Sequence, residues 1–339
     1  MRIIVDIMSG DKAPLEILLG AYEAASENPS VGFTFVGNEG IMRAIASARG
    51  FSINLPNVEI VHTTGVISME DQPLSVVREK KDSSMGVGLK LLAEGKGDAF
   101  VSAGNTGALH AGSTLIVRRI KGIQKSGIAT ILPYANPTML MDSGANIEVP
   151  PETYVQFAQM GTVYMREIMG VPNPRIGLLN IGEERIKGTK TVASAYELLE
   201  KADGINFVGN IEGKDVPNGK CDVLVCDGFA GNIVLKLSEG LSKFIISKLT
   251  DVFTANPLTK VSYLGVKGGL KNMKKSFDAS EYGGAPLLGL SKTVIKAHGN
   301  SDAYAIKNAI RQALQCVDNA VTYKIAKLIV PHIITEENK

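Results

Sequence analysis

The sequence predicts a three-layer α/β/α protein built on a mainly parallel sheet. Short apolar runs alternate with stretches of helical period along most of the chain, which is the pattern of a sheet covered by helices. Several of those runs end in Asp or Asn, then Gly and a small residue, the chemistry of a strand turning sharply into a helix. With 339 residues, 45% of them hydrophobic, the chain is long enough for one large α/β unit or two lobes.

The elements follow in order. Strands are expected at 2–6, 33–36, 58–62, 98–102, 128–132, 139–141, 175–180, 206–208 and 222–226, each a short apolar or β-branched run. The helix over 14–27 opens on Pro14, which suits a first helical position. The helix over 38–49 has Asn38 as its N-cap. Further helices are expected at 106–119, 151–169 and 189–201, and two longer amphipathic ones at 229–253 and 302–328. For these two, core packing is the plain reading and a subunit interface the sharper one.

Composition excludes several classes. A formal net charge of +2 leaves no general nucleic-acid footprint. No apolar run is long enough to span a bilayer, and MRIIVDIMSGD turns acidic too soon for a signal peptide, so a cytoplasmic protein is expected. Three Cys without CxxC fit a reduced compartment, and Cys221 and Cys226 are expected on opposite faces of one strand. His62, His110, His298 and His332 lack zinc-ligand spacing, so neither a metal nor a cofactor is expected. Charge is uneven, however. Residues 252–277 carry five lysines and no acid, a segment charge of +5 that leaves −3 elsewhere. Lys267, Lys271, Lys274 and Lys275 alternate there with Leu258, Val261 and Leu264, a mixture suited to an acidic protein partner, an anionic membrane surface or simple solvation.

The motif richest in chemistry is VSAGNTGALHAG at 101–112. Gly104 and Gly107 allow close backbone approach, Asn105 or Thr106 can cap the next helix, and free N–H groups there can hold an anion. A plain strand-to-helix turn is the competing reading. MLMDSGAN, LLNIGEE, NFVGN and LVCDGFAGN repeat the plan, and strand carboxyl ends are where open α/β sheets bind ligands. NIGEERIKGTK sets Glu183, Arg185, Lys187 and Lys190 at one such end. There is no GxGxxG after the first strand, no GxSxG elbow, and FVGNIEGKDV is one residue short of a P-loop. Cys226, without a neighbouring His, is expected to be an inert buried thiol.

Together, DIMSGDKAP, VSAGNTGAL, MDSGAN, LLNIGEERIKG, CDGFAGNIVLK, GGAPLLG and IKAHGNS, in this order from residue 1 to about 321, resemble the bacterial PlsX-type phosphate acyltransferases. Ser9 and Lys12 stand where that family usually has Gly and His, His110 where it has Met, and Ser143 in its DVGAN motif. The resemblance implies transfer of an acyl group from acyl carrier protein to inorganic phosphate, feeding phospholipid synthesis. It further implies a homodimer at the membrane surface beside a glycerol-phosphate acyltransferase, with two lobes around a cleft as in phosphate acetyltransferases and isopropylmalate/isocitrate dehydrogenases. The lobes would be residues 1–127 plus 283–339, and 128–282. Gly104, Asn105, Thr106, Gly107 and Asn146 would hold phosphate, and Lys187 would bridge it to the developing oxyanion. Asn180 and Asn232 would orient hydrogen bonds. Asp6, Asp142 and Asp227 would fix the lysine or relay a proton, Glu183 would support it, and His298 would protonate the thiolate. The rival readings are an acyl-CoA-dependent phosphate acetyltransferase, a decarboxylating dehydrogenase and a non-enzymatic membrane scaffold.

Overall fold

The computed structural model describes residues 1–134, 136–276 and 279–336, with the backbone alone at 257, 258, 264, 271, 272, 274–276, 279, 280 and 330–336. The first half alternates strand and helix: β1 (Arg2–Asp6), α1 (Leu15–Glu27), β2 (Gly32–Gly37), α2 (Glu39–Arg49), β3 (Val58–His62), α3 (Ser84–Ala93), β4 (Ala99–Ser102) and α4 (Thr106–Gly112). Then come β5 (Gly127–Leu132), β6 (Thr138–Met141), α5 (Pro151–Glu167), β7 (Arg175–Asn180), α6 (Lys190–Lys201), β8 (Asn206–Glu212) and β9 (Val223–Val225). The chain ends with α7 (Gly228–Thr254), α8 (Pro257–Ser276), β10 (Ala285–Leu288), β11 (Thr293–Lys296), α9 (Ala303–Asp318) and α10 (Val321–Glu336).

Local chemistry sets the helix starts. Asn38, Ser83, Asn105, Thr189, Asp227 and Asp302 each accept a backbone N–H three residues on, from Ile41, Gly86, Ala108, Val192, Ala230 and Ala305. Each cap satisfies one of the orphan donors that a helix start leaves. The inner strands are buried on both faces, with Ile3, Ile4, Phe33, Phe100, Val101, Leu140 and Val223 fully covered, which is why they read as continuous apolar runs; the edge strands β3 and β8 are half-exposed.

The strands form one sheet in the order β3-β2-β1-β4-β11-β10-β5-β6-β9-β7-β8. It is mainly parallel, as the sequence predicts, with its antiparallel pairs gathered in the middle. β10 runs antiparallel to both β11 and β5, and β5 antiparallel to β6, while the remaining pairs are parallel. The direction therefore reverses in the middle. The carboxyl ends of β1, β4 and β11 lie on one edge of the sheet, and those of β6, β9 and β7 on the other.

Other expectations change. The helix over 106–119 is α4 alone, continued by one π turn at Ser113–Val117 and stopped at Arg118 (φ 71°), where Arg119 pairs with Leu290. The helix over 302–328 is two. Asn319 donates its side-chain amide to the Gln315 carbonyl at 2.9 Å and Ala320 turns to φ 51°, so α10 leaves in a new direction and packs on α5. α3 is absent from the prediction because SMGVGLKLLA holds two poor helix formers. Gly88 is required there by packing, since a Cβ would stand 2.3 Å from the Phe100 ring. α7 is not core. Only Gly228 and Gly231 of its 27 residues are buried, and it pairs with α8 as a helical hairpin. Cys221 and Cys226 flank the three-residue β9 and line one hydrophobic cluster. Burial pushes both thiols up, Cys221 to about 12, so neither is a ready thiolate.

Candidate active site

The ends of β1, β4 and β11 meet at the glycine turn. Asp6, fully buried, accepts the Ser102 hydroxyl at 2.7 Å and the Met8 N–H at 3.3 Å. Burial pushes its carboxyl up, and the hydroxyls of Ser84, Ser9 and Ser102 oppose the shift. Ser102 Oγ in turn accepts the Gly104 N–H at 3.1 Å. Gly104 is thus spoken for, and the amides left open among the described residues are those of Asn105, Thr106 and Gly107. The Asn105 side chain is also occupied. Its Oδ1 caps α4, and its Nδ2 donates to the carbonyls of Ser68, Met69 and Asp71 at 3.3, 3.0 and 3.1 Å. Asn105 shapes the turn and pins the 68–71 segment across it. No room exists for larger residues, since a Cβ on Gly104 would stand 2.6 Å from Met85 Cε and 2.7 Å from Ser9 Cβ.

On the same edge, His298 is exposed. Its Nδ1 accepts the Asn300 N–H at 3.1 Å, which leaves the proton on Nε2. Partial desolvation holds its imidazole below the usual value; Lys296, Lys236 and Lys243 act the same way and Glu239 opposes them. Lys236, Lys243 and Glu239 belong to α7, so that helix reaches from β9 to the first strand set.

The second cluster surrounds Asp142. Its Oδ1 accepts N–H groups of Ile128, Gly144 and Ala145 at 3.0, 3.1 and 3.0 Å, and its Oδ2 those of Asn146, backbone at 2.8 Å and side chain at 2.9 Å. Asn146 gives its other amide hydrogen to the Ser126 carbonyl at 2.8 Å. The sequence-based roles change accordingly. Asp142 folds the 142–146 loop rather than fixing a lysine, and Asn146 has no side-chain donor left for phosphate. Asp227 caps α7 and accepts the Tyr154 hydroxyl at 3.3 Å. Asn232 is exposed, packed over Gly144. His110 on α4 links this cluster to the glycine turn, its Nε2 lying 3.1 Å from Ser126 Oγ. Burial pushes this imidazole down, with the Asp142 charge opposing.

The third group follows β7. Asn180 accepts the Ile181 N–H at 2.8 Å and donates to the Lys187 carbonyl at 3.0 Å, closing the loop onto its own strand end. Arg185 pairs with Glu200 at 2.7 Å and Glu183 with Lys220 at 3.0 Å. Lys187 is exposed and forms no ion pair among the described residues, so its charge is available. No hydrogen bond or ion pair among the described residues joins this loop to the glycine turn. In the basic hairpin, Lys267 and Val261 are exposed. The side chains of Leu258, Leu264, Lys271, Lys274 and Lys275 lie outside the described residues.

One buried cation escaped the sequence reading. Lys296, the last residue of β11, is 8% exposed and directs its ammonium at the Ala103 carbonyl. The available signal was a lysine closing an apolar strand, TVIK, just before the quoted AHGNS.

The chain has an α/β fold of the kind seen in phosphotransacetylases. Its fold matches a phosphotransacetylase from Streptococcus pyogenes with a TM-score of 0.60 at 16% identity, covering 97% of this chain and 94% of that one. The chain belongs to the PlsX-type phosphate acyltransferase family, matching the family described as "Fatty acid synthesis protein" over residues 1–324. The phosphate acyltransferase of Thermoanaerobacter pseudethanolicus is 46% identical over 97% of both chains. That of Alkaliphilus oremlandii is 44% identical over 96% of this chain and 97% of its own.

Proposed function

We propose that this protein transfers an acyl group from acyl carrier protein to inorganic phosphate, releasing acyl phosphate and the free carrier thiol. The observation that carries the reading is the end-to-end likeness to phosphate acyltransferases on a phosphotransacetylase-type fold. The site's chemistry supports it. A phosphate oxygen attacks the thioester carbonyl, the C–O bond forms as the C–S bond breaks, and the electron pair leaves on sulfur. A thiol with a pKa of roughly 8.5 leaves readily. Proton transfer therefore contributes less than juxtaposition, at about 3–5 against about 7–11 kcal/mol.

The N–H groups of Asn105, Thr106 and Gly107 hold phosphate, and Lys187, carried on the opposite edge of the sheet, offsets the charge of phosphate and oxyanion from a second copy of the chain in the homodimer. The Nε2–H of His298 donates to the departing sulfur, while Asp6, Asp142, Asn146, Asn180 and Asp227 hold the loops that present these groups. Two lobes, 1–127 plus 283–339 and 128–282, would enclose the reactants. The basic hairpin would receive the acidic carrier protein or the inner face of the cell membrane, next to a glycerol-phosphate acyltransferase, and the protein would act as a cytoplasmic homodimer. No helix among the described residues is long and apolar enough to cross a membrane.

Incubation with long-chain acyl-carrier protein and phosphate, trapping product with hydroxylamine, tests the reading. Lys187→Ala is expected to fold and lose about 10²–10³-fold in turnover, the loss typical of removing one oxyanion donor. Wild-type turnover in that variant rejects the lysine's role. Product from acyl-CoA alone would move the protein to the acetyltransferase-like class.

A further inference from the structure

Lys296 has an environment that packing does not explain. Its Nζ donates to the Ala103 carbonyl at 3.3 Å and also to the Ala297 carbonyl. No carboxylate lies within ion-pair distance of it among the described residues. A buried ammonium with only carbonyl partners is costly, and an apolar side chain of equal length would fill the same space. The charge sits directly behind the glycine turn, because Ala103 precedes Gly104. A second buried polar group points into the same place. Ser9 Oγ has no hydrogen-bond partner of good geometry, and a Cβ on Gly104 would lie 3.2 Å from it.

We infer that Lys296 is the resident cation of the glycine turn, a positioning residue that fixes the Ala103 carbonyl and sets the affinity of the turn for inorganic phosphate. The inference rests on the reading that phosphate binds this turn. It explains why a cation is kept where no counter-ion stands: the bound dianion supplies the missing negative charge. The groups facing Lys296 are Asp6 at the end of β1, Asp11 from the loop after it, Lys236 from α7, and His298 two residues on. Burial pushes the ammonium down to about 8, Lys236 acts the same way, and Asp11 and Asp6 oppose. The charge is therefore present below that value and fades above it, so phosphate should bind more weakly as the medium becomes alkaline.

The test measures the phosphate KM and phosphate Kd of the whole protein from about pH 6.5 to about pH 9.5, a range that brackets the Lys296 titration. In the wild type both are expected to rise at least about tenfold across the alkaline half, where phosphate itself is already dianionic. Lys296→Met is expected to raise both at least about tenfold at the acid end, with the acyl-carrier-protein KM unchanged and the ratio to wild type narrowing as pH rises. Lys296→Arg, whose guanidinium stays charged, should recover phosphate binding without the alkaline loss. A phosphate affinity that is flat through the alkaline range, or a Met variant that matches wild type at the acid end, overturns the inference. Should wild type form acyl phosphate while showing either result, only the role of Lys296 fails. Should wild type bind no phosphate at all, the reading beneath it fails as well.

Discussion

Single residues divide into those that build the site and those free to act in it. Asp142 was legible as a polar strand end, but not as a scaffold, because nothing in MDSGAN says that five N–H groups converge on one carboxylate. Saturation of that kind depends on β5 lying beside β6, a long-range fact. Asp142→Ala would strand four backbone donors, of which the buried pair, Ile128 and Asn146, cost about 1–3 kcal/mol each when unpaired. The expected loss is at least about 3 kcal/mol in urea unfolding, and a loss under about 1 kcal/mol would rule out the scaffold role. Asn105 gives the same lesson. Its type and position mark a cap, but only the fold shows that its amide also ties down residues 68–71. Lys296 was missed because its neighbours in sequence are apolar and the carbonyl it meets, that of Ala103, comes from another strand.

At the scale of elements, α7 shows how one helix can be locked into the core at its start and covered chiefly by α8 further along. Its N-terminus is locked against the 142–146 loop, where the Gly228 N–H donates to the Asn146 carbonyl at 2.7 Å. A Cβ on Gly231 would stand 1.8 Å from the Asp142 carbonyl oxygen, backbone that cannot move without dismantling the loop. A Cβ on Gly240, in the same helix, would meet nothing within 4 Å. Gly231→Ala is therefore expected to destabilise by several kcal/mol or prevent folding, whereas Gly240→Ala should stabilise by about 0.5–1 kcal/mol through helix propensity. Thermal melts of the two variants decide this; equal shifts would contradict the asymmetry. The helix itself was readable from its period. That most of its apolar stripe stays out of the core was not, since amphipathic patterning looks alike whether the stripe faces a core or another chain.

For the whole molecule, that stripe is an exposed apolar surface of the single chain. Phe229, Ile233, Leu237, Leu241 and Phe244 recur at helical spacing and are each more than half exposed. Contiguous apolar surface of this kind marks an association site, which favours the homodimer. A double change, Leu237→Glu with Leu241→Glu, is expected to convert a dimer to monomers in sedimentation while the fold stays intact, because neither side chain is buried. A wild-type chain that sediments as a monomer would refute the dimer. The sequence alone determined the alternation of strand and helix, most caps and which strand ends are polar, because these follow from local period, backbone conformation and side-chain chemistry. Only the tertiary structure decided that the sheet reverses direction at β10, β5 and β6, separating strand ends of similar sequence onto two edges. It also decided which polar atoms are consumed by the scaffold and where the buried Lys296 points. Strand order and hydrogen-bond saturation are set by residues far apart in the chain meeting across a shared core, and no local pattern records those meetings.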